Sequence, residues 1–270
     1  MITEILEPLV CERFRNDPYY RERHLRVINA LPSRSVLGLH IPDIKKIASS
    51  ISKNGCKVVK SNGEHHICAN NTEIIRDFET EETNSLCYEE TIIWGYLINS
   101  EKTTLEKRFR MLEAYIPILD NWAVCDSFCS NIKWIRKSDK EAVWEFLNRW
   151  FNSNREFEVR FAIVTAMSHY IDEEWLERVF HSIERLNFSK IESEYRTSSK
   201  KPEKAQEGSV QGKEPYYVRM GVAWLLATAL AKFPEQTREF VHTTRLPEDI
   251  IRLYIRKARE SFRTREVMAI

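Results

Sequence analysis

The stretch from Lys140 to Leu186, KEAVWEFLNRWFNSNREFEVRFAIVTAMSHYIDEEWLERVFHSIERL, decides the fold class. Its apolar side chains recur at steps of three and four residues, the spacing that lines one face of a helix. Two breaks divide it, at Asn152-Ser153-Asn154 and at Asp172, where short polar side chains compete with the helical backbone for hydrogen bonds. The spacing predicts three successive helices, Lys140 to Phe151, Glu156 to Tyr170 and Glu173 to Leu186.

The same pattern runs outward in both directions. It predicts helices over Ile5 to Arg15, Pro18 to Asn29, Pro42 to Lys53, Thr72 to Glu79, Cys87 to Asn99, Thr104 to Ile116 and Asn121 to Trp134 on one side. On the other it predicts Pro215 to Ala231, Glu235 to His242 and Pro247 to Arg263. Seven Gly and nine Pro in 270 residues are few, and the period-two alternation of strands is nearly absent. Consecutive short helices with no strand to organise them favour antiparallel pairs that bury their faces only against neighbours. The alternative is a compact irregular bundle. With 43% hydrophobic residues the chain can bury a continuous core as a single domain spanning residues 1–270.

Two segments interrupt the pattern. Ser189 to Glu214 is dense in Lys, Arg and Glu and holds only Ile191, Tyr195 and Val210 as sizeable apolar or aromatic groups, so a mobile surface loop is expected. Gly55 to Asn71 places Val58-Val59 and His65-His66-Ile67 on either side of Ser61-Asn62-Gly63, which suits a small hairpin or a disordered insertion. Cys56, His65, His66 and Cys68 fall in that segment, but their spacing is not a standard ligand pattern and no metal is expected.

The longest largely apolar run, Gly221 to Ala231, is shorter than a membrane span, and Glu4 and Glu7 stand where a signal peptide would be basic. No membrane partner is expected. Six cysteines without a framework read as reduced thiols, in keeping with a cytoplasmic protein. A net charge of +1 excludes a protein that coats DNA through bulk basicity, so a nucleic-acid site must be a segregated patch.

The most informative segment for chemistry is Leu119-Asp120-Asn121-Trp122-Ala123-Val124-Cys125-Asp126-Ser127-Phe128. Asp120 or Asn121 is placed to cap a helix, which puts Trp122 in the first turn and Asp126 four residues on, along the same face. Asp is a poor residue for a helix interior, and Asp126 lies too far in to be the cap. It serves either as one half of a salt bridge or as a functional carboxylate. Arg160 stands alone on an apolar face, and Arg219 is the one charge inside the apolar segment that carries Trp224. From Arg245 to Arg265 seven Lys or Arg stand against three carboxylates. Arg256 and Lys257 lie in that stretch, and Lys45 and Lys133 lie near the other helices of interest.

Taken together, Asp120 to Phe128, Glu158 to Met167 and Tyr217 to Leu226 resemble, in order and separation, three motif regions of the AlkD-like DNA alkylation repair family. Val36-Leu37-Gly38-Leu39-His40-Ile41-Pro42 is similar to that family's loop before its third helix. The resemblance covers about Leu25 to Arg263, and segments 55–71 and 189–214 look like insertions.

It implies an all-α, HEAT-like helical-repeat solenoid whose concave face takes double-stranded DNA containing alkylated bases. By that resemblance Asp126 is the catalytic carboxylate, with Trp122, Trp224 and Arg160 lining its cleft. Lys45, Lys133, Arg219, Lys232, Arg256 and Lys257 are the expected DNA contacts. The family often has a basic residue where this chain has Ala227, and Lys232 is the expected substitute. An N3- or N7-alkylated purine is cationic and already a good leaving group, so no cofactor is expected. A monomer, associated with the nucleoid when bound to DNA, is the expected form. A non-catalytic binder of distorted or branched DNA and a protein-interaction scaffold are the alternatives.

Overall fold

The computed structural model describes residues 2, 6–54, 56–59, 65–68, 74–75, 78–79, 86–194 and 215–264. Its architecture is all-α and helical-repeat in type, with one small hairpin, and it divides into two compact units, Met1–Trp134 and Ile135–Ile270.

The first unit contains α1 (Glu12–Asn16), α2 (Pro18–Ile28), α3 (Ile41–Asn54), α4 (Tyr88–Ser100), α5 (Leu105–Tyr115) and α6 (Trp122–Ser130). In α3, Ile44, Ala48 and Ile51 follow one stripe and are all buried. Helix α4 is buried around most of its circumference and packs against α3 and α6. Gly95 permits the close approach: a Cβ there would lie 2.5 Å from the Tyr115 hydroxyl and 2.9 Å from the ring of Phe128 on α6. The hydroxyl of Tyr115 donates to the Thr91 carbonyl at 3.0 Å, so the contact is bonded as well as close.

The second unit contains α7 (Lys140–Phe151), α8 (Glu156–His169), α9 (Leu176–Glu184), α10 (Tyr216–Lys232), α11 (Pro234–Thr243) and α12 (Glu248–Glu260). Within this unit helices α8 and α10 are the most apolar, and α10 packs against α8 on one side and α12 on another. Along α12, Ile250, Tyr254 and Ala258 are buried at four-residue steps, which leaves Arg252, Arg256 and Arg259 on the exposed face.

Several sequence-predicted boundaries shift for identifiable reasons. The helix expected over Ile5 to Arg15 is a short 3₁₀ turn, Glu7–Leu9, then α1, because extended backbone at Val10 and Cys11 separates the two. The helix expected over Asn121 to Trp134 stops at Ser130, where Asn131 caps it and a 3₁₀ turn, Lys133–Lys137, takes over. Glu173 to Leu186 shortens to α9 because Asp172 accepts from the Trp175 amide at 3.1 Å and Trp175 serves as the cap residue. Pro117 sits in a 3₁₀ turn, Ile116–Ile118, that ends α5.

Of the two readings of Gly55 to Asn71, the backbone adopts the hairpin: β1 (Cys56–Val59) pairs antiparallel with β2 (His65–Cys68). The side chains of Cys56, His65, His66 and Cys68 lie outside the described residues. No group of three or more His, Cys, Asp or Glu suited to a metal occurs among the described residues.

The loop expected from Ser189 needs a partial correction. Ile191 and Ser193 are buried, the Glu192 carbonyl accepts from the Glu156 amide at 3.1 Å, and the Ser193 hydroxyl donates to the Glu156 carboxylate. Tertiary partners outweigh the polar composition of residues 189–194, while residues 195–214 lie outside the described residues. Ile191→Ala is therefore expected to destabilise the protein by about 2 kcal/mol in urea denaturation. A change under about 0.5 kcal/mol would return the segment to the status of a loop that buries nothing.

Candidate functional site

The segment Asp120-Asn121-Trp122 is fixed residue by residue against the end of α2 and the turn that follows it. Asn121 caps α6, its Oδ1 accepting from the Ala123 amide at 2.8 Å, while its Nδ2 donates to the Ile28 carbonyl at 2.7 Å. Asp120 is drawn the other way, into a pair with Arg34 at 2.7 Å whose two side chains are 15% and 8% exposed. Arg34 also donates to the Leu86 carbonyl at 2.7 Å. Trp122 Nε1 donates to the Val27 carbonyl at 3.3 Å, which fixes the indole in the first turn of α6. Asp126 follows one turn later and, like Trp122, is half-buried.

The loop leading into α3 is held by a group the sequence reading passed over. Glu89, fully buried in the first turn of α4, accepts from the amides of Leu37, Gly38 and Leu39 at 3.0, 2.7 and 3.1 Å. Burial pushes this carboxyl above the usual range, opposed by the three amides. Gly38 has φ +99°, and an added Cβ would meet the ring of Phe14 at 2.4 Å, so backbone and packing both require glycine there.

The second unit repeats the device. Glu156, buried at the start of α8, accepts from the Tyr217 amide at 2.6 Å and from Ser193, and so holds the beginning of α10. Burial raises its carboxyl, while Ser193, the Tyr217 and Val218 amides and the nearby Arg160 oppose the rise. Arg160 itself is 5% exposed. Its Nη1 donates to the Tyr217 carbonyl, and the guanidinium carbon lies 5.8 Å from the centre of the Tyr217 ring. Arg219 is likewise engaged, pairing with Asp249 and lying 5.5 Å from the Phe188 ring centre.

Trp224 is 40% exposed in the middle of a helix buried over most of its length, which sets it apart from a core tryptophan. It lines an open pocket of about 470 Å³ with Lys232 and Lys257, so three of the sequence-selected residues meet there. Lys232 donates to the Ile171 carbonyl at 3.2 Å and Lys257 to Glu260 at 3.1 Å. Arg256 lines a neighbouring pocket of about 410 Å³ with Arg252 and Arg259. Lys45 and Lys133 are exposed in the first unit, on α3 and at the start of the 3₁₀ turn after α6.

A wider pocket of about 830 Å³ contains none of these residues. Two of its charged groups are held locally: Arg178 donates to both oxygens of Glu141 at 2.7 Å, and Glu184 accepts from Thr244 and the Arg245 amide.

The helix with Trp122 and Asp126, its capping residues and the helix of Arg160 all fall within residues 21–192, which match the family described as DNA alkylation repair enzyme. The chain belongs to that family. The match spans well over half of the 270 residues and stops before α10, so Trp224 rests on the motif resemblance and its exposure. No curated protein and no solved structure gave a match. Membership makes repair of alkylated DNA the biological setting of these residues. No helix among the described residues is long and apolar enough to cross a membrane.

Proposed function

We propose that this member of the family is a DNA glycosylase that hydrolyses the N-glycosidic bond of N3- or N7-alkylated purines in duplex DNA. The observation that carries the reading is Asp126, a carboxylate interior to a helix and one turn from a half-buried Trp122, on a helix whose start is fixed by three hydrogen-bonded residues.

In the proposed reaction the bond between C1′ and the purine nitrogen breaks, and its electron pair leaves with the base, neutralising the positive charge of the alkylated ring. Positive charge develops on the deoxyribose at the same moment. Ionised Asp126 stabilises that charge more in the transition state than in the ground state, and the face of Trp122 adds cation–π attraction. Water then adds to C1′ and releases a proton, with Asp126 in position to orient it. The products are the free base and an abasic site.

Lys45, Lys133, Arg256 and Lys257 are assigned to the phosphate backbone, which positions DNA without reading its sequence. Arg160 and Arg219 are assigned differently. Arg160, buried against Tyr217, and Arg219, paired with Asp249, position the helix that carries Trp224.

Release of methylated purine from methylated duplex by the purified protein tests the reaction directly, and no release under single-turnover conditions would reject it. Affinity for duplex is expected to fall as salt rises, and Lys257→Ala to make that slope shallower by roughly one unit. Arg160→Ala is expected to lower the melting temperature and leave the slope unchanged. Equal slopes for wild type and Lys257→Ala would remove Lys257 from the interface.

A further inference from the structure

Helix α2 shows two neighbouring stripes of side chains, each repeating at four-residue steps. One stripe, Tyr20, His24 and Ile28, is turned to the protein: the Tyr20 hydroxyl lies 3.1 Å from Nε2 of His40, the His24 ring meets the Phe14 ring edge-on at 5.3 Å, and Ile28 is buried. The other, Tyr19, Arg23 and Val27, faces solvent. Tyr19 is 75% and Val27 62% exposed, and Arg23 between them is exposed as well. The exposure is not fraying, because Asp17 caps the helix by accepting from the Tyr20 amide at 3.0 Å. Three arginines on α2 stand against one carboxylate, Glu22, and Arg26 takes that carboxylate at 2.6 Å. Arg23 has no ion pair among the described residues.

This stripe ends at the helix of the candidate carboxylate, within the same unit. The carbonyls of Val27 and Ile28 accept from Trp122 Nε1 at 3.3 Å and Asn121 Nδ2 at 2.7 Å, so the last turn of α2 is built into the start of α6. At 1.5 Å per residue the stripe is about 12 Å long, the length of roughly three to four base pairs. A net charge of +1 supplies no bulk attraction, so phosphate contacts must come from local cations such as Arg23. We propose that the Tyr19, Arg23 and Val27 face of α2 contacts the DNA backbone and continues the site of Trp122 and Asp126 along the strand flanking the reacting base, with Arg23 on a phosphate. The inference rests on the DNA-binding reading above and extends it to a helix on which that reading places no residue.

The test titrates a labelled, undamaged duplex against the full-length protein and its variants at several salt concentrations. Arg23→Ala is expected to make the salt slope shallower by roughly one unit and to weaken binding about eightfold at 0.1 M salt, the contribution of one phosphate. Arg23→Lys keeps the charge and should keep the wild-type slope. Tyr19→Glu sets a carboxylate on the same face and should weaken binding at least as much as Arg23→Ala. Arg110→Ala removes an equal charge from an exposed position on α5 and should leave the slope unchanged. All four side chains replaced are exposed, so melting temperatures should stay close to wild type. An unchanged slope in Arg23→Ala, an equal fall in Arg110→Ala, or wild-type affinity in Tyr19→Glu would overturn the inference. Methylpurine release, measured in parallel, reports on the glycosylase reading separately. A shallower slope in Arg23→Ala with no release by wild type would uphold this face and reject that reaction, and release with an unchanged slope would do the reverse.

Discussion

Asp126→Asn is expected to lower the single-turnover rate of methylpurine release by roughly a hundred- to a thousandfold, with duplex affinity and melting temperature close to wild type. The substitution keeps the size and shape of a half-buried side chain and removes its negative charge, so only the electrostatic contribution is lost. A preorganised charge of this kind typically lowers a barrier by about 2.7–4 kcal/mol. The cap of α6 does not depend on Asp126, because Asn121 makes the cap bond and Asp120 and Trp122 bond to Arg34 and to the Val27 carbonyl. A variant that kept more than half the wild-type rate would make Asp126 a structural carboxylate and return the chain to the class of non-catalytic DNA binders.

Glu89→Ala should destabilise the protein by about 3 kcal/mol or more, because the amides of Leu37, Gly38 and Leu39 lose their shared acceptor in a buried place. For a chain of this size that corresponds to a fall of roughly 6–12 °C in melting temperature. The sign of the pH effect follows from the direction of the shift. A carboxyl raised above its unfolded value favours the folded state increasingly as pH falls through the folded value, and this contribution is absent well above the folded value. Wild-type stability measured against Glu89→Ala should therefore rise as pH is lowered through that raised range towards the unfolded value. A melting temperature within about 3 °C of wild type at neutral pH would mean that the loop before α3 is held by something other than Glu89.

Much of this architecture is legible in the chain itself. Stripes such as Ile44, Ala48 and Ile51, or Ile250, Tyr254 and Ala258, follow the helical repeat, and each is buried as the repeat requires. The cap before Trp122 was readable as one of two neighbouring residues, and the tertiary structure chose between them by giving Asp120 a cation to pair with and Asn121 a carbonyl to bond. The pattern of Trp122 and Asp126 could be read because both lie on one helix, where positions four apart share a face. Arg160 could not be read in this way: alone on an apolar face it offered no neighbour at helical spacing, and its carbonyl partner lies 57 residues away.

Glu89 and Glu156 carried no signal at all. A glutamate in the first turn of a helix is ordinary in sequence, and only the arrival of amides from 51 and 61 residues away makes each one a buried clamp. The sequence alone determined the helices, their buried faces, the family motifs and the candidate carboxylate, because these depend on local periodicity and on residue types held at fixed spacing. Only the tertiary structure decided which charges are used up in holding loops and which aromatic groups face solvent, because a side chain's hydrogen-bond partners and burial are set by segments far away in the chain.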